Sequence, residues 1–445
     1  MNSSKRKIFY ATLIVLMLST ISLCTFSQNA TDTSLQQATL QNCVQYALKH
    51  FPLIQQSYID EEITERQIRS KLADWYPQLN LNASYQNNFQ LQAVNFAGSI
   101  VYSGTYNTSF IGLGATQNIF NRDVLLASRS ANDVRKQSKQ TTTSNKIDVA
   151  VAVSKAFYDV LLTKKQIDLL EEDIVRLSRS LKDAYNQYQG GIVDKTDYKQ
   201  ATISLNNSKA EKKSDEEILK AKFVYLKQLM GYTGKDELSL VYDSAQMEQE
   251  VLIDTNQNIS YTNRIEYQLL QTEKRLQEAN LKYNKWSFLP SVSAFGNYDL
   301  NYLNNRFSKL YADNYPVSNV GLQVSFPIFQ GTKRIQNIRA AELQVKRVDW
   351  DIQSLQNSIN TQYAQALAVY KGNLNDYYVL KENLELARDV YNTIQLQYRS
   401  GIKAYLDVIT AETSLRSAQS NYANALYQVL SSKLDVQKAL GTIKY

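Results

Sequence analysis

Few side chains in this sequence of 445 residues could carry out chemistry. It contains one histidine, His50, and two cysteines, Cys24 and Cys43. Cys43 lies seven positions before His50, which would place both on one face of a helix, but two ligands are too few to hold a metal ion. Packing roles are therefore the better interpretation. This composition excludes a zinc site, a disulfide framework and a two-histidine mechanism, so we expect neither an enzyme nor a cofactor.

Two carboxylates stand at repeated positions. Asp197 follows Gly191 by six residues, and Asp407 follows Gly401 by the same interval. A carboxylate in the first turn of a helix stabilises the positive end of the helix dipole. This structural role is compatible with a second, functional role for both residues.

The charged residues give a net charge of +7, with 49 basic and 42 acidic side chains. The densest lysine run is interleaved with carboxylates, which is typical of a solvated helix face and not of a nucleic-acid-binding patch. This run contains Lys209, Glu211, Lys212, Lys213, Asp215, Glu216, Glu217, Lys220 and Lys222. No phosphate-binding loop is present, because Gly112-Leu113-Gly114 is followed by Gln117 where a third glycine is required. We expect no nucleic-acid partner and no energy-coupling site.

The first 27 residues are typical of a secretory signal peptide. Three basic residues at positions 5–7 precede an apolar run from Ile8 to Leu18 and then a small polar region, and we predict cleavage before Gln28. Lipidation of Cys24 and a retained membrane anchor are the alternatives; the large Leu23 before Cys24 disfavours lipidation.

The positions of proline and glycine predict very long helices in the rest of the chain. No proline occurs within residues 121–289 or 330–445. Apolar residues at alternating steps of three and four, as in a coiled coil, predict helices over residues 121–188, 195–231, 331–398 and 403–441. One such seam comprises Ile338, Ala341, Val345, Val348, Ile352, Leu355 and Ile359, and another Ile174, Leu177, Leu181 and Tyr185. The first and third helices would be about 100 Å long.

Between the helices the pattern changes to strict alternation. Leu79 and Leu81 alternate with Asn80 and Asn82, for example, and the same period occurs in three further segments. This pattern predicts strands over residues 77–92, 106–120, 290–302 and 317–329, each long enough to cross an outer membrane. Four strands cannot close a membrane barrel, so the sheet must pack against helices or several chains must pool their strands.

The chain is predicted to be an internal duplication. Residues 190–192 recur as 400–402, and Leu229-Met230-Gly231 recurs as Ala439-Leu440-Gly441, both 210 positions later. The first repeat would occupy residues 28–240 and the second residues 262–445, with a linker over 241–261. Each half reads as strand, strand, long helix, tight turn and helix, and buries little by itself, which favours stacking around an axis.

Four features together resemble the TolC-type outer membrane efflux proteins. They are the opening Thr39-Leu40 to Phe51-Pro52, the two hairpins that follow a proline, the turns with Gly and Asp six residues apart, and the Ala-Leu-Gly end at 439–441. The resemblance covers the whole mature chain. It implies a mixed α and β fold, a trimeric twelve-stranded transmembrane β-barrel with four strands per chain, and a long antiparallel α-helical barrel in the periplasm. It also implies a passive outer membrane channel of a tripartite efflux or type I secretion system.

The resemblance also implies a gate at the helical turns. In the family, an Asp after the first turn is bonded by a Tyr and a basic residue of the second turn. By motif position Asp197 is the acceptor, Tyr398 and Lys403 are its partners, and Asp407 forms a ring of three by symmetry. Lys403 replaces the usual Arg, and Thr410 stands where a second Asp is expected. We therefore expect a weaker lock and a less acidic constriction.

The partners implied by the resemblance are two further copies of the chain, a periplasmic adaptor, an inner-membrane pump and outer membrane lipid. Candidate adaptor contacts are Gly190, Gly191, Ile192, Ser400, Gly401 and Ile402. Drugs and other small toxic compounds are the expected cargo, with polypeptides and metal ions left open. The alternative function is a soluble periplasmic coiled-coil scaffold or adaptor, which would be a monomer or dimer.

Overall fold

The computed structural model describes residues 38–234, 238–241 and 244–445 as a mixed α and β structure dominated by long helices. The predicted signal peptide and Cys24 lie outside the described residues. The helices, in chain order, are α1 (Leu40–His50), α2 (Pro52–Leu72), α3 (Arg122–Gln189), α4 (Lys195–Met230), α5 (Ser244–Gln249), α6 (Ile265–Lys285), α7 (Lys333–Arg399) and α8 (Tyr405–Leu440). The strands are β1 (Gln78–Asn87), β2 (Gln92–Phe96), β3 (Ser99–Ser103), β4 (Asn107–Phe120), β5 (Ser291–Asn304) and β6 (Tyr315–Ser325).

Local sequence sets the helix ends. The side chain of Asn121 accepts a hydrogen bond from the backbone N–H of Asp123 at the start of α3, and Asp194 caps α4 in the same way through Thr196. Helices α4 and α8 end at Gly231 and Gly441, whose positive φ values of 65° and 71° suit glycine. None of the helices in the described ranges is both long and apolar enough to cross a membrane.

The helices pack side by side. Helix α3 contacts α2 along its first half and α4 along its second half; α7 contacts α6 and α8 in the same way, and α6 also contacts α3. The seam predicted on α7 is present: Ala341, Val348 and Ile359 are buried and its other members half-buried. The seam predicted on α3 is displaced, because the face buried against α4 and α8 runs through Leu170, Asp173, Leu177, Ser180 and Ala184, whereas Tyr185 is exposed.

The main hydrophobic core lies midway along the helices, where α1 packs across α3 and α4. Its fully buried side chains include Leu161, Leu226 and Met230. Tyr370 of α7 is also fully buried; its hydroxyl donates to the carbonyl of Val251, 2.9 Å away. This bond attaches the segment between the two halves to the helical core.

The four-stranded sheet has the order β1-β4-β5-β6, with each pair antiparallel. Strand β4 pairs with β5, so the central ladder joins the two halves of the chain. In this register Leu113 lies opposite both Leu81 and Tyr298, which aligns the apolar side chains in one stripe across the sheet. Strands β1 and β6 are the two edges.

Two strand predictions are wrong at their ends. The strand expected over 77–92 ends at Asn87, because the chain leaves the ladder there and forms a separate hairpin from β2 and β3. That hairpin turns at Ala97 and Gly98, which both have positive φ. The strand expected over 317–329 ends at Ser325, just before Pro327, which has no N–H to donate to a ladder.

Candidate gate at the helical tip

Two matching turns form one end of the helical part. Helix α3 passes into α4 through Gly190 and Gly191, and α7 passes into α8 through Ser400 and Gly401. Gly191 and Gly401 have φ values of 71° and 74°, which explains glycine at both positions. Each turn is closed by a backbone bond of 2.9 Å, from Ile192 to Gln187 and from Ile402 to Gln397. The side chains of Ile192 and Ile402 are 76% and 72% exposed, so each turn presents one apolar side chain to solvent.

The two helical hairpins touch just above the turns. Ala184, Ala201, Tyr405 and Val408 are buried there and come from α3, α4 and α8. Tyr398 of α7 packs against this cluster, with its ring centroid 5.6 Å from that of Tyr405. All four long helices therefore meet in one small apolar cluster, which holds the tip of the chain together.

The hydroxyl of Tyr398 donates a hydrogen bond of 2.7 Å to the Oε1 of Gln187. This differs from the bond to Asp197 that the resemblance implied. Tyr398 and Gln187 lie in the last turns of α7 and α3, which end side by side, so the hydroxyl reaches the neighbouring helix end. Burial raises the pKa of Tyr398, and the negative charges of Asp197 and Asp183 raise it further.

Asp197 is half-buried in the first turn of α4. Its pKa is raised, mainly by burial and also by the neighbouring carboxylate of Asp194. Its carboxylate influences the pKa of Tyr398 but accepts no hydrogen bond from Tyr398 or Lys403 within the described chain. The structure therefore brings Asp197 near the expected tyrosine without the expected bond.

Lys403 lies beside Asp407 and not beside Asp197. The Nζ of Lys403 is 3.9 Å from the Oδ2 of Asp407, and both side chains are substantially exposed. Residues four positions apart at a helix start are natural neighbours. The same Oδ2 accepts the backbone N–H of Ala404 at 3.2 Å, so Asp407 also caps α8. Thr410 is exposed, and its hydroxyl bonds back to the carbonyl of Leu406.

A buried charge cluster lies about two helical turns above this site. Arg176 of α3 bonds Asp173 of the same helix, and its Nε is 3.7 Å from the Oε1 of Glu412 on α8. Arg416 of α8 reaches back to Asp173 at 3.9 Å and to Glu211 of α4 at 3.4 Å. The cluster therefore links the two hairpins by charge.

This cluster and Gln187 were not predicted from the sequence, although the sequence contains a signal for the cluster. Asp173 occupies a seam position between Leu170 and Leu177, and Glu412 falls between Val408 and Leu415, with steps of three and four. A carboxylate in an apolar seam is costly to bury, which marks it as a residue that requires a partner. Nothing in the sequence distinguishes Gln187 from the other polar residues near the turn.

The residues considered for a metal site lie far along the chain from the tip. Cys43 is fully buried in the main core. His50 is exposed, and its ring stacks on Tyr46 at a centroid distance of 4.2 Å. Within the described ranges no three or more His, Cys, Asp or Glu side chains are grouped so that they could hold a metal ion.

Similar proteins are channels and efflux components of the outer membrane. The outer membrane protein TolC of Escherichia coli is 22% identical over 92% of this chain and 84% of its own length. The toluene efflux pump outer membrane protein TtgC of Pseudomonas putida is 20% identical over 90% of this chain and 82% of its own length. The solved structure of the outer membrane protein VceC from Vibrio cholerae matches with a TM-score of 0.72 and 14% identity, over 90% of this chain and 96% of that one.

The family match covers most of the chain. The outer membrane efflux protein family matches residues 43–232 and 264–442, which include both hairpins, both tip turns and all four strands of the larger sheet. The resemblance inferred from the sequence is therefore confirmed. This chain is a member of the outer membrane efflux protein family.

Proposed function

We propose that three copies of this chain close one twelve-stranded barrel in the outer membrane and extend as a helical tunnel into the periplasm. The observation that carries this proposal is the sheet. Its edges β1 and β6 run for 10 and 11 residues, and among the described residues of one chain neither has a partner strand on its outer side. Since β1 and β6 run in opposite directions, β6 of one copy and β1 of the next would form an antiparallel ladder.

The exposed side chains of the sheet support a membrane location. Leu81, Val320 and Leu322 lie in the apolar stripe and are 71%, 87% and 69% exposed in the single chain. An apolar stripe of this size requires a cover, and lipid is the cover available to an outer membrane protein. The opposite face carries Asn82 and Asn297, which would line a water-filled lumen.

The long helices support assembly with further copies. At 1.5 Å per residue, α3 and α7 are about 100 Å long, which suits a tunnel across the periplasm. Helix α7 exposes Leu343, Trp350 and Leu386, each more than half exposed in the single chain. A second copy packed along this face would bury them.

The two segments of the family match support an internal duplication. One runs over residues 43–232 and the other over 264–442, and each contains a long helix, a tip turn and a shorter antiparallel helix. The end glycines Gly231 and Gly441 lie 210 positions apart and both have a positive φ, of 65° and 71°. A repeated half explains why both tip turns have the same backbone bonds.

As a member of its family the chain is an outer membrane channel for efflux or secretion. We propose that it is passive and receives cargo from an inner-membrane pump through a periplasmic adaptor. The exposed turns at Ile192 and Ile402, with the glycines beside them, are the proposed adaptor contact. Small organic compounds are the proposed cargo, since one relative carries the name of a toluene efflux pump protein.

The gate is proposed at the same tip. Tyr398 and Gln187 join the two hairpins, Asp197 lies beside them, and Lys403, Asp407 and Thr410 lie at the start of α8. In a trimer the three Asp407 carboxylates would form a ring around the axis. Lys403 would then weaken cation capture by that ring, because it pairs with Asp407 within each chain.

Single-channel conductance of the purified chain without residues 1–27, recorded in planar bilayers, tests this function. We expect rare, small openings in the wild type and larger or more frequent openings in Tyr398→Phe and Gln187→Ala, each of which removes the bond between the hairpins. Lys199→Ala removes an exposed charge from the same region and serves as the matched control. Stable openings of equal size and frequency in the wild type and both variants would contradict the proposed gate and support the channel. A water-soluble monomer that never inserts would favour the scaffold alternative.

A further inference from the structure

Glu412 is a buried carboxylate whose surroundings leave it without a hydrogen bond. The residue is 4% exposed, and neither of its side-chain oxygens has a hydrogen-bond partner within the described chain. Its nearest cation is Arg176, whose Nε is 3.7 Å from Oε1 and itself donates no hydrogen bond there. A buried charge in this condition is costly, whereas a neutral carboxyl is much less so.

The residue lies where the two tip hairpins meet. Glu412 belongs to α8, and Arg176 and Asp173 belong to α3 of the other hairpin. Every helix packed around Glu412 carries charged or titratable groups that face it. Helix α3 contributes Asp173 and Arg176, α7 contributes Tyr391, and α8 itself contributes Tyr405 and Arg416. Helix α4 contributes Glu211, which pairs with Arg416. Separation of the hairpins would expose Glu412 to water.

We infer that protonation of Glu412 holds the two tip hairpins together, so that the gate is shut in acid and released as the pH rises. This inference rests on the proposed function of the tip as a gate. It names a second set of residues, distinct from Tyr398 and Gln187, as the part of the gate that responds to pH.

The direction of the effect follows from the pKa of Glu412 in the two states. In the packed state the pKa of Glu412 is raised from 4.5 to about 7. Burial is the main cause and the negative charge of Asp173 is the second, whereas the positive charges of Arg176 and Arg416 act in the opposite direction. In a separated, solvated state the pKa returns towards its ordinary value. Because the pKa is raised in the packed state, protonation of Glu412 stabilises that state. This stabilisation is complete at pH values below the ordinary pKa and is lost as the pH rises towards 7. The change therefore falls between about pH 4.5 and 7.

Hydrogen exchange of the tip provides a readout that does not depend on conduction. We would measure deuterium uptake by mass spectrometry in peptides covering residues 184–205 and 394–412, at pH 5 and pH 7.5, for the wild type and Glu412→Gln. Comparison at equal pH cancels the intrinsic pH dependence of exchange. At pH 7.5 we expect Glu412→Gln to be protected at least about tenfold more than the wild type, with the ratio falling to a few-fold at pH 5.

Two further variants keep the result interpretable. Glu412→Met is also neutral and of similar size, so it should reproduce Glu412→Gln and provides a second chance of a folded neutral variant. Glu385→Gln makes the same chemical change at an exposed carboxylate that pairs with Arg388. We expect Glu385→Gln to exchange like the wild type at both pH values. Equal protection in wild type and neutral variants at both pH values, or weaker protection in the neutral variants, would overturn the inference.

Conductance separates this inference from the proposed function. We expect the open probability of the wild type to rise between pH 5 and pH 7.5 and that of Glu412→Gln to stay low. If the wild type and Glu412→Gln have the same dependence of open probability on pH and equal deuterium uptake, the inferred pH switch is wrong and the channel function stands. If the protein shows the expected exchange pattern but forms no channel in bilayers, the proposed function is wrong and the response of the tip to pH stands.

Discussion

The hydroxyl of Tyr398 and the amide oxygen of Gln187 are joined by a hydrogen bond of 2.7 Å between the last turns of the two longest helices. It is a side-chain bond between the hairpins at the level of the tip, and it lies directly beside the buried ring of Tyr405 in the apolar cluster. Any opening that moves one hairpin away from the other must break it. If the tip acts as the proposed gate, the strength of this bond contributes directly to the closed state.

Tyr398→Phe removes this bond and keeps the ring. We expect the closed tip to lose about 1 kcal/mol, the usual net contribution of a neutral hydrogen bond, and openings in planar bilayers to become roughly fivefold more frequent. Tyr185→Phe is the matched control, because the hydroxyl of Tyr185 accepts its bond from Gln189 within the same helix. Equal opening frequencies for Tyr398→Phe and the wild type would show that this bond does not hold the gate.

Arg176→Ala leaves the carboxylates of Asp173 and Glu412 without their closest cation. The side chain of Asp173 is only 2% exposed, so removal of its bonded partner should destabilise the protein by about 3 kcal/mol. Urea denaturation followed by circular dichroism would measure this loss. Arg388→Ala removes an arginine from an exposed pair with Glu385 and should cost less than about 1 kcal/mol. Similar losses in the two variants would mean that the cluster is not buried as described.

Substitution by alanine should change the free energy of unfolding in opposite directions at Gly441 and at Gly372. At Gly441 the φ is positive and an added Cβ would lie 2.6 Å from the carbonyl oxygen of Asn263. Gly441→Ala should therefore lower the free energy of unfolding by at least about 1 kcal/mol. In the single chain Gly372 lies inside α7 with open space around it, so Gly372→Ala should raise the stability of the single chain by roughly 0.5 to 1 kcal/mol. Thermal denaturation of both variants checks the sign, and a stable Gly441→Ala would contradict the described helix end.

The thiol of Cys43 should be unreactive in the folded protein. It is fully buried, and burial raises its pKa to about 12, so the reactive thiolate is almost absent at neutral pH. We expect no labelling by a maleimide at pH 7.5 in protein without residues 1–27, and complete labelling in denaturant. Ile192→Cys places a thiol at an exposed tip position and should react within minutes. Rapid labelling of Cys43 before denaturation would show that α1 separates from the core.

The long helices could be predicted closely because their limits depend on local chemistry. The absence of proline and the glycines at both turns allowed bounds within two residues of those observed for α3 and α7. Strand ends were harder to predict. The alternation of apolar residues continues through Phe89 and Leu91, but the strand ends at Asn87 because pairing with β4 begins only at Asn107. That limit is set by a partner strand and not by the segment itself.

The tip residues show the same division between local and long-range information. The turns and the cap at Asp407 follow from a short local motif. The hydrogen bond from Tyr398 to Gln187 depends instead on how two helices align whose bonded residues are more than 200 positions apart. The cluster around Glu412 likewise brings together α3, α4 and α8. The interruption of apolar seams by Asp173 and Glu412 is visible in the sequence, whereas the cations that these carboxylates meet are not.

The unpaired edges β1 and β6 have a genetic consequence. If the sheet closes only when three copies contribute strands, a single defective copy spoils the whole ring. In a cell that makes equal amounts of normal and defective chain, roughly one ring in eight would contain normal copies alone. A substitution that permits assembly but blocks conduction would therefore be dominant over the normal allele, whereas one that prevents β1 from pairing would be recessive.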